Sequence, residues 1–262
     1  MGNGMKRLCI VAHARTGTNY LCNLLDSFRG VRCYKELFHP NAVFGLDDHE
    51  IELARKKTWR RYRDIYSSSL VKYARGKPER FLRFLDGAQK NGIEVLCFKI
   101  FPSHLPWELI ESDILSHDNT HFLFVKRNML ESFISFQKAK KVKKFSFIDT
   151  TEVKVSLRAS EFLSFAAENA AWFDRWEHAI EDRGFLSNTI MYGSEITTSE
   201  EESIAALGGK LKALGLPFGE AQARSLTFEK QDKGQSNRNK VENWEEFVSD
   251  LSLAGVQPIE AF

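Results

Sequence analysis

Short apolar runs alternate along the chain with longer stretches of helical period. Arg7–Ala12, Glu94–Phe101, His121–Val125 and Thr189–Tyr192 are compact, apolar and partly β-branched or aromatic, and they predict strands. Between them, Thr18–Phe28 places Leu21, Leu24, Leu25 and Phe28 at helical spacing, and Asn128–Lys140 does the same with Leu130, Phe133, Ile134 and Phe136. Ser160–Arg183 is the longest predicted helix, and Glu200–Leu214 closes the set. Strands that alternate with helices build right-handed βαβ units, hence an α/β fold with a central parallel sheet and helices on both faces. Ligands of such sheets sit at the carboxyl ends of the strands. The basic, helical segment Glu50–Gln89 interrupts the alternation and reads as a helical insertion able to cover that edge.

Composition narrows the class. The chain has 262 residues, 43% apolar and 27% charged, enough for a sizeable core. No repeat, low-complexity tract or Pro/Ser-rich linker divides it, so residues 1–262 are expected to form one domain. The net charge of +2 means that anion binding must come from local clusters. Cys9, Cys22, Cys33 and Cys97 lack CxxC spacing and read as reduced, structural thiols. Lys6 and Arg7 precede only five apolar residues, too few for a signal peptide, and no later run reaches the length of a membrane span. Position 6 is Lys where myristoylation of Gly2 wants Ser or Thr. A cytoplasmic protein is expected.

The most distinctive polar residues follow predicted strands. After Ala12 the sequence Ala14-Arg-Thr-Gly-Thr-Asn-Tyr-Leu21 turns through Gly17 into a helix. Such a turn aims the backbone amides of Thr16, Gly17, Thr18 and Asn19 at an anion and adds the positive helix end. Thr18 also suits a purely structural role as helix cap. Arg15 contributes a permanent charge at the mouth. Without Gly-Lys-Ser/Thr there is no lysine for a γ-phosphate and no usual magnesium hydroxyl, which disfavours triphosphatase or kinase chemistry. In the second stretch Arg127 emerges at a strand end, and Ser135 lies two helical turns further on, where both can bracket one phosphate. Read alone, Arg127 is a surface cation and Ser135 a tolerated helix serine.

Together, these stretches resemble the sulfotransferases that use 3′-phosphoadenosine 5′-phosphosulfate (PAPS). The loop from Ala14 to Leu21 is similar to that family's 5′-phosphosulfate loop, and Arg127-Asn-Met-Leu-Glu-Ser-Phe-Ile-Ser135 to its 3′-phosphate motif. Arg15-Thr-Gly-Thr, Glu36-Leu37, Cys97-Phe-Lys-Ile100 and Arg127–Ser132 resemble in particular bacterial carbohydrate sulfotransferases of the Nod-factor and trehalose types. The chain departs from the pattern at Ala14 and Met129, where proline is frequent, and its Lys233–Lys240 run only loosely matches the family's C-terminal glycine-rich loop. The resemblance implies a P-loop-like sulfotransferase fold, PAPS as cofactor, no metal, and a carbohydrate or glycolipid hydroxyl as acceptor. It further implies Arg15 and the backbone of Thr16–Asn19 at the phosphosulfate, with Thr18 adding a hydroxyl. Arg127, Ser135 and Arg238 would serve the 3′-phosphate, and Tyr192 would lie near the adenine.

An acceptor hydroxyl needs a base. Glu36 resembles in position the glutamate proposed as base in carbohydrate-acting bacterial relatives, and His104, in Phe98-Lys-Ile-Phe-Pro-Ser-His-Leu-Pro106, resembles the histidine motif of small-molecule sulfotransferases, with Pro102 where that motif has Lys. The structural alternatives are pairing of Glu36 with Lys35 or Arg32, and capping of a helix near Trp107 by His104. Glu36 is preferred because the wider likeness is to the carbohydrate group. Lys99, within an apolar strand, either reaches the sulfuryl oxygens or pairs with an acid. The five lysines of Lys138–Lys144 read first as a solvated helix end, second as an attractor of an anionic or membrane-borne acceptor. Trp59 and Tyr62 in the basic run Arg55–Arg63 are candidates for stacking on sugar rings. Nucleic-acid binding fits the near-neutral charge poorly. A P-loop-like kinase and a non-catalytic nucleotide or glycan binder are the competing readings.

Overall fold

The computed structural model describes residues 5–59, 62–89, 92–143, 150–197, 199–222 and 236–256. Five strands form one sheet: β1 (Lys6–Ala12), β2 (Val31–Cys33), β3 (Val95–Ile100), β4 (Thr120–Arg127) and β5 (Ser187–Tyr192). Their spatial order is β2-β3-β1-β4-β5, and every neighbouring pair is parallel. The helices are α1 (Thr18–Ser27), α2 (Asp48–Thr58), α3 (Ser68–Gly76), α4 (Pro78–Ala88), α5 (Trp107–Asp113), α6 (Met129–Val142), α7 (Ala159–Glu181), α8 (Glu200–Ala213), α9 (Asn237–Lys240) and α10 (Trp244–Leu253). The four predicted strands and four predicted helices are present with small shifts of boundary. β2 goes beyond the sequence reading, because three residues carry too little alternation to announce a strand.

Strand alternation divides the core. Leu8, Ile10 and Ala12 of β1, with Val95 and Cys97 of β3, pack against Leu21, Leu24 and Leu25 of α1 and Leu207 and Leu211 of α8. On the opposite face Cys9, Val11, Leu96, Phe98 and Phe122 meet Ile51, Leu70, Phe81 and Leu85 of α2–α4 and Phe173 and Trp176 of α7. The helices of the 50–89 segment thus form a layer of the core on this face, since their leucines and phenylalanines are needed to cover the sheet. Arg75 of α3 reaches the front edge, donating from Nε to the carbonyl of His104 at 2.9 Å. A third cluster joins α6, the first half of α7 and α10 through Phe133, Phe162 and Phe247.

Several sequence expectations resolve here. All four cysteines are buried and unbridged, Cys9 on one face of the sheet and Cys22, Cys33 and Cys97 on the other. Tyr62 is 2% exposed, so it belongs to the core and is not a stacking surface, whereas Trp59 is 94% exposed. The lysine run is not uniformly solvated: Lys138 is fully buried and donates to the Thr150 carbonyl at 3.0 Å, while Lys144 lies outside the described residues. Among the described residues no helix is long and apolar enough to cross a membrane.

Candidate functional site

β1 runs directly into the turn. Trp172 of α7 anchors its end, donating to the Ala12 carbonyl at 3.2 Å, and the Thr16 hydroxyl donates to the His13 carbonyl at 2.8 Å. Two residues then take left-handed backbone conformations, Arg15 at φ 72° and Gly17 at φ 75°. Glycine takes that region freely; for arginine it costs on the order of 1–3 kcal/mol and persists only when the surroundings impose it. Gly17, not Thr18, caps α1, and no side chain satisfies the helix end. The first intrahelical bonds run from Tyr20 and Leu21 to the Gly17 carbonyl at 3.0 and 3.2 Å, so the amides of Thr18 and Asn19 lie ahead of the helix ladder. That is the geometry of an anion cradle.

What imposes the Arg15 conformation is the second predicted stretch. Arg127, the last residue of β4, donates from Nη1 to the Arg15 carbonyl at 3.0 Å. Arg15 in turn donates from Nε to Ser135 Oγ at 3.0 Å. Arg127 and Ser135 are therefore linked through Arg15. Tyr192, ending β5, packs beneath: the Arg127 guanidinium lies 5.1 Å from its ring centre, and a Cβ built on Gly17 would fall 2.0 Å from its Cε2. Burial raises the Tyr192 phenol above its ordinary range, so it stays protonated beside the two arginines. Sequence reading missed Glu131, whose Oε2 accepts from Arg127 Nε and Nη2 at 3.2 and 3.0 Å.

A second group adjoins the first. Backbone pairing continues beyond β2, with Tyr34 donating to the Cys97 carbonyl at 2.9 Å and Lys99 to the Lys35 carbonyl at 3.2 Å, and this carries Glu36 to Lys99. The Lys99 ammonium, fully buried, lies 2.7 Å from Asn19 Oδ1, 3.4 Å from Thr18 Oγ1 and 3.4 Å from Glu36 Oε1. His104 Nε2 lies 3.5 Å from Glu36 Oε2, while its Nδ1 accepts the Phe101 amide at 3.3 Å. The two candidate bases thus touch each other. Glu36 does not pair with Arg32, which is committed to Asp26 and Glu50, and His104 does not cap α5, whose cap is Pro106. Burial alone would raise the Glu36 carboxyl, but the His104 hydrogen bond and the charges of Lys99, His104 and His39 outweigh it and hold it at about 2.

His104 is 1% exposed and both its ring nitrogens are engaged, so its ring positions Glu36, whose side chain is 22% exposed. Arg238, on α9, is paired with Glu245 at 2.7 Å and hydrogen-bonds to none of Arg15, Arg127 and Ser135 among the described contacts. Lys233–Gln235 lie outside the described residues. No group of three or more His, Cys, Asp or Glu with metal-site geometry occurs among the described residues.

No protein-family model and no curated protein matches the sequence. Among solved structures, a sulfotransferase from Alicyclobacillus acidocaldarius is similar at 12% identity and a TM-score of 0.45, over 95% of this chain and 96% of that one. Mouse sulfotransferase SULT7A1 complexed with PAP is similar at 11% identity and a TM-score of 0.42, over 97% of this chain and 82% of that one.

Proposed function

We propose that the protein is a PAPS-dependent sulfotransferase that sulfates a carbohydrate hydroxyl. The observation that carries this reading is the linked set Arg127–Arg15–Ser135 on the uncapped amide turn, with Glu36 beside it at the same sheet edge. Two cationic forks and an amide cradle within one hydrogen-bond chain fit a ligand with two separate anionic groups better than a single phosphate.

The residues fit such a nucleotide. Arg15 and the amides of Thr18 and Asn19 would hold its 5′ end, Arg127 and Ser135 its 3′-phosphate, and Tyr192 offers a ring against its base. When bound, PAPS supplies an activated sulfuryl group on its 5′-phosphate. Arg15 and the helix end are preorganised for the charge that develops on the leaving phosphate. Glu36, oriented by Lys99 and His104, accepts the proton of the acceptor hydroxyl. A carboxyl held near 2 is a weak base, which suits proton transfer that comes late, once the hydroxyl oxygen has begun to bond to sulfur. The carbohydrate acceptor is supported by the motifs around Glu36.

A melting experiment tests the reading, because a ligand bound only by the native state raises the melting temperature. Adenosine 3′,5′-bisphosphate should stabilise the protein well beyond AMP, and sulfate transfer from PAPS to an oligosaccharide should follow. Equal shifts from the two nucleotides would remove the 3′-phosphate assignment.

A further inference from the structure

Lys99 occupies a position that its own strand explains. Val95, Cys97 and Lys99 alternate onto the face that meets α1, and Lys99 is the register partner of Ile10, two residues before β1 ends. Its side chain therefore points at the first turn of α1. An ammonium taken wholly out of water is costly unless its donors find partners. Here the three donors have three oxygens, Asn19 Oδ1, Thr18 Oγ1 and Glu36 Oε1, and the Phe101 ring lies 5.4 Å away. A carboxylate is only one of the three, at 3.4 Å, and the shortest contact is to the neutral amide of Asn19. A lysine recruited merely to neutralise an acid would sit closer to it.

The hydroxyl at the start of the helix is informative. In nucleoside-triphosphate loops, a Ser/Thr at this place and an Asp from the sheet hold the magnesium ion that neutralises the phosphates. Here Thr18 supplies the hydroxyl, but a strand of the same sheet sends a lysine to it. A divalent cation at Thr18 Oγ1 would lie against a fixed positive charge in a low-dielectric pocket.

We propose that the Lys99 ammonium takes the place that magnesium holds in triphosphate-binding loops and, by sharing its hydrogen bonds with Glu36, joins the anion cradle to the acceptor carboxylate. This rests on the anion-cradle reading of the Thr16–Asn19 turn. It adds a third cation, one that the phosphate motifs do not contain, and it makes anion binding independent of divalent ions. It also separates the site from a kinase on grounds other than the missing Gly-Lys-Ser/Thr.

Calorimetric titration of adenosine 3′,5′-bisphosphate, in EDTA and in magnesium chloride, tests the proposal. The unaltered protein should bind equally in both, and Lys99→Met should bind at least about tenfold more weakly in both. Lys99→Asp should bind weakly in EDTA and recover in magnesium, a response that a merely structural lysine would not produce. Should Lys99→Met fail to fold because Glu36 loses its partner, the double variant Lys99→Met/Glu36→Gln removes both charges and carries the same expectation. Tight binding by folded Lys99→Met, a magnesium requirement in the unaltered protein, or equal weakness of Lys99→Asp in both buffers would each overturn the proposal. If the unaltered protein ignores the nucleotide but binds inorganic pyrophosphate, the nucleotide reading fails alone, and the same variants titrated with pyrophosphate decide the role of Lys99. Binding of neither ligand overturns both.

Discussion

Arg127 Nη1 donates to the backbone carbonyl of Arg15 at 3.0 Å, and this one bond couples a strand end to a turn more than a hundred residues away in sequence. It holds Arg15 in its left-handed conformation while the rest of the guanidinium faces Glu131. Arg127→Gln should therefore act twice. Binding of adenosine 3′,5′-bisphosphate should weaken by about 1.5–3 kcal/mol, ten- to a hundredfold, as a charge-assisted contact is lost. Its preference over AMP should shrink towards unity in the same titrations.

Gly17→Ala confronts two obstacles, a positive φ and a Cβ 2.0 Å from the Tyr192 ring. The expected result is a loss of stability of more than about 1 kcal/mol and of nucleotide binding. Adding Tyr192→Ala should relieve the collision but not the backbone cost. Thermal melts of the single and double variants separate the two contributions.

Ser135→Ala removes the hydroxyl that accepts from Arg15 Nε. Ser135 is 7% exposed, and the loss should cost about 1 kcal/mol of stability. Turnover should fall more than nucleotide affinity does, because the Arg15 side chain is then less well fixed where charge develops. Steady-state rates beside equilibrium titrations provide the check.

Glu36→Gln should abolish sulfate transfer while nucleotide affinity changes by only a few-fold; near-normal turnover would reassign the base. Stability offers an independent test. The carboxyl is depressed from 4.5 to about 2, so its stabilisation is complete above about pH 4.5 and is lost as the pH falls towards 2. That difference corresponds to about 3 kcal/mol, an upper figure for a group still partly in contact with water. Urea unfolding of the unaltered protein and the variant should diverge at pH 5 and converge below pH 2.

His104→Gln tests positioning against catalysis. With both ring nitrogens engaged, His104 cannot reach an acceptor without giving up either its Phe101 bond or its Glu36 contact. Glutamine can still donate to Glu36, so activity should fall by about tenfold or less, whereas loss comparable to that of Glu36→Gln would make His104 the base. The pH profile of kcat should shift in the first case and lose a limb in the second.

The parts of the site legible in sequence were those built locally. Arg15, Gly17 and Asn19 lie within five consecutive residues, and Arg127 with Ser135 follows from a strand end and a helical period. The joining of the parts was not legible. Lys99 meets Glu36 and Asn19 because β3 lies between β2 and β1, a strand order that the alternation of elements does not specify. Glu131 was overlooked because an acid in the first turn of a helix reads as an ordinary partner of the helix end. The helical segment 50–89 also packs Leu70, Phe81, Leu82 and Leu85 into the core, a role that its basic composition hides in the sequence. The short helices α5 and α9 carry too few turns to show a period.

The distribution of the cysteines equips the molecule with two internal clocks. Cys9 answers to the packing of α2–α4 and α7 on one face of the sheet, and Cys22, Cys33 and Cys97 to that of α1 and α8 on the other. Burial also pushes the thiols of Cys9, Cys22 and Cys33 away from the reactive thiolate. A thiol reagent can therefore label either set only when its layer opens. Mass spectrometry of partly labelled protein would time the two layers separately, and a nucleotide that grips the start of α1 should slow the second clock while leaving the first almost untouched.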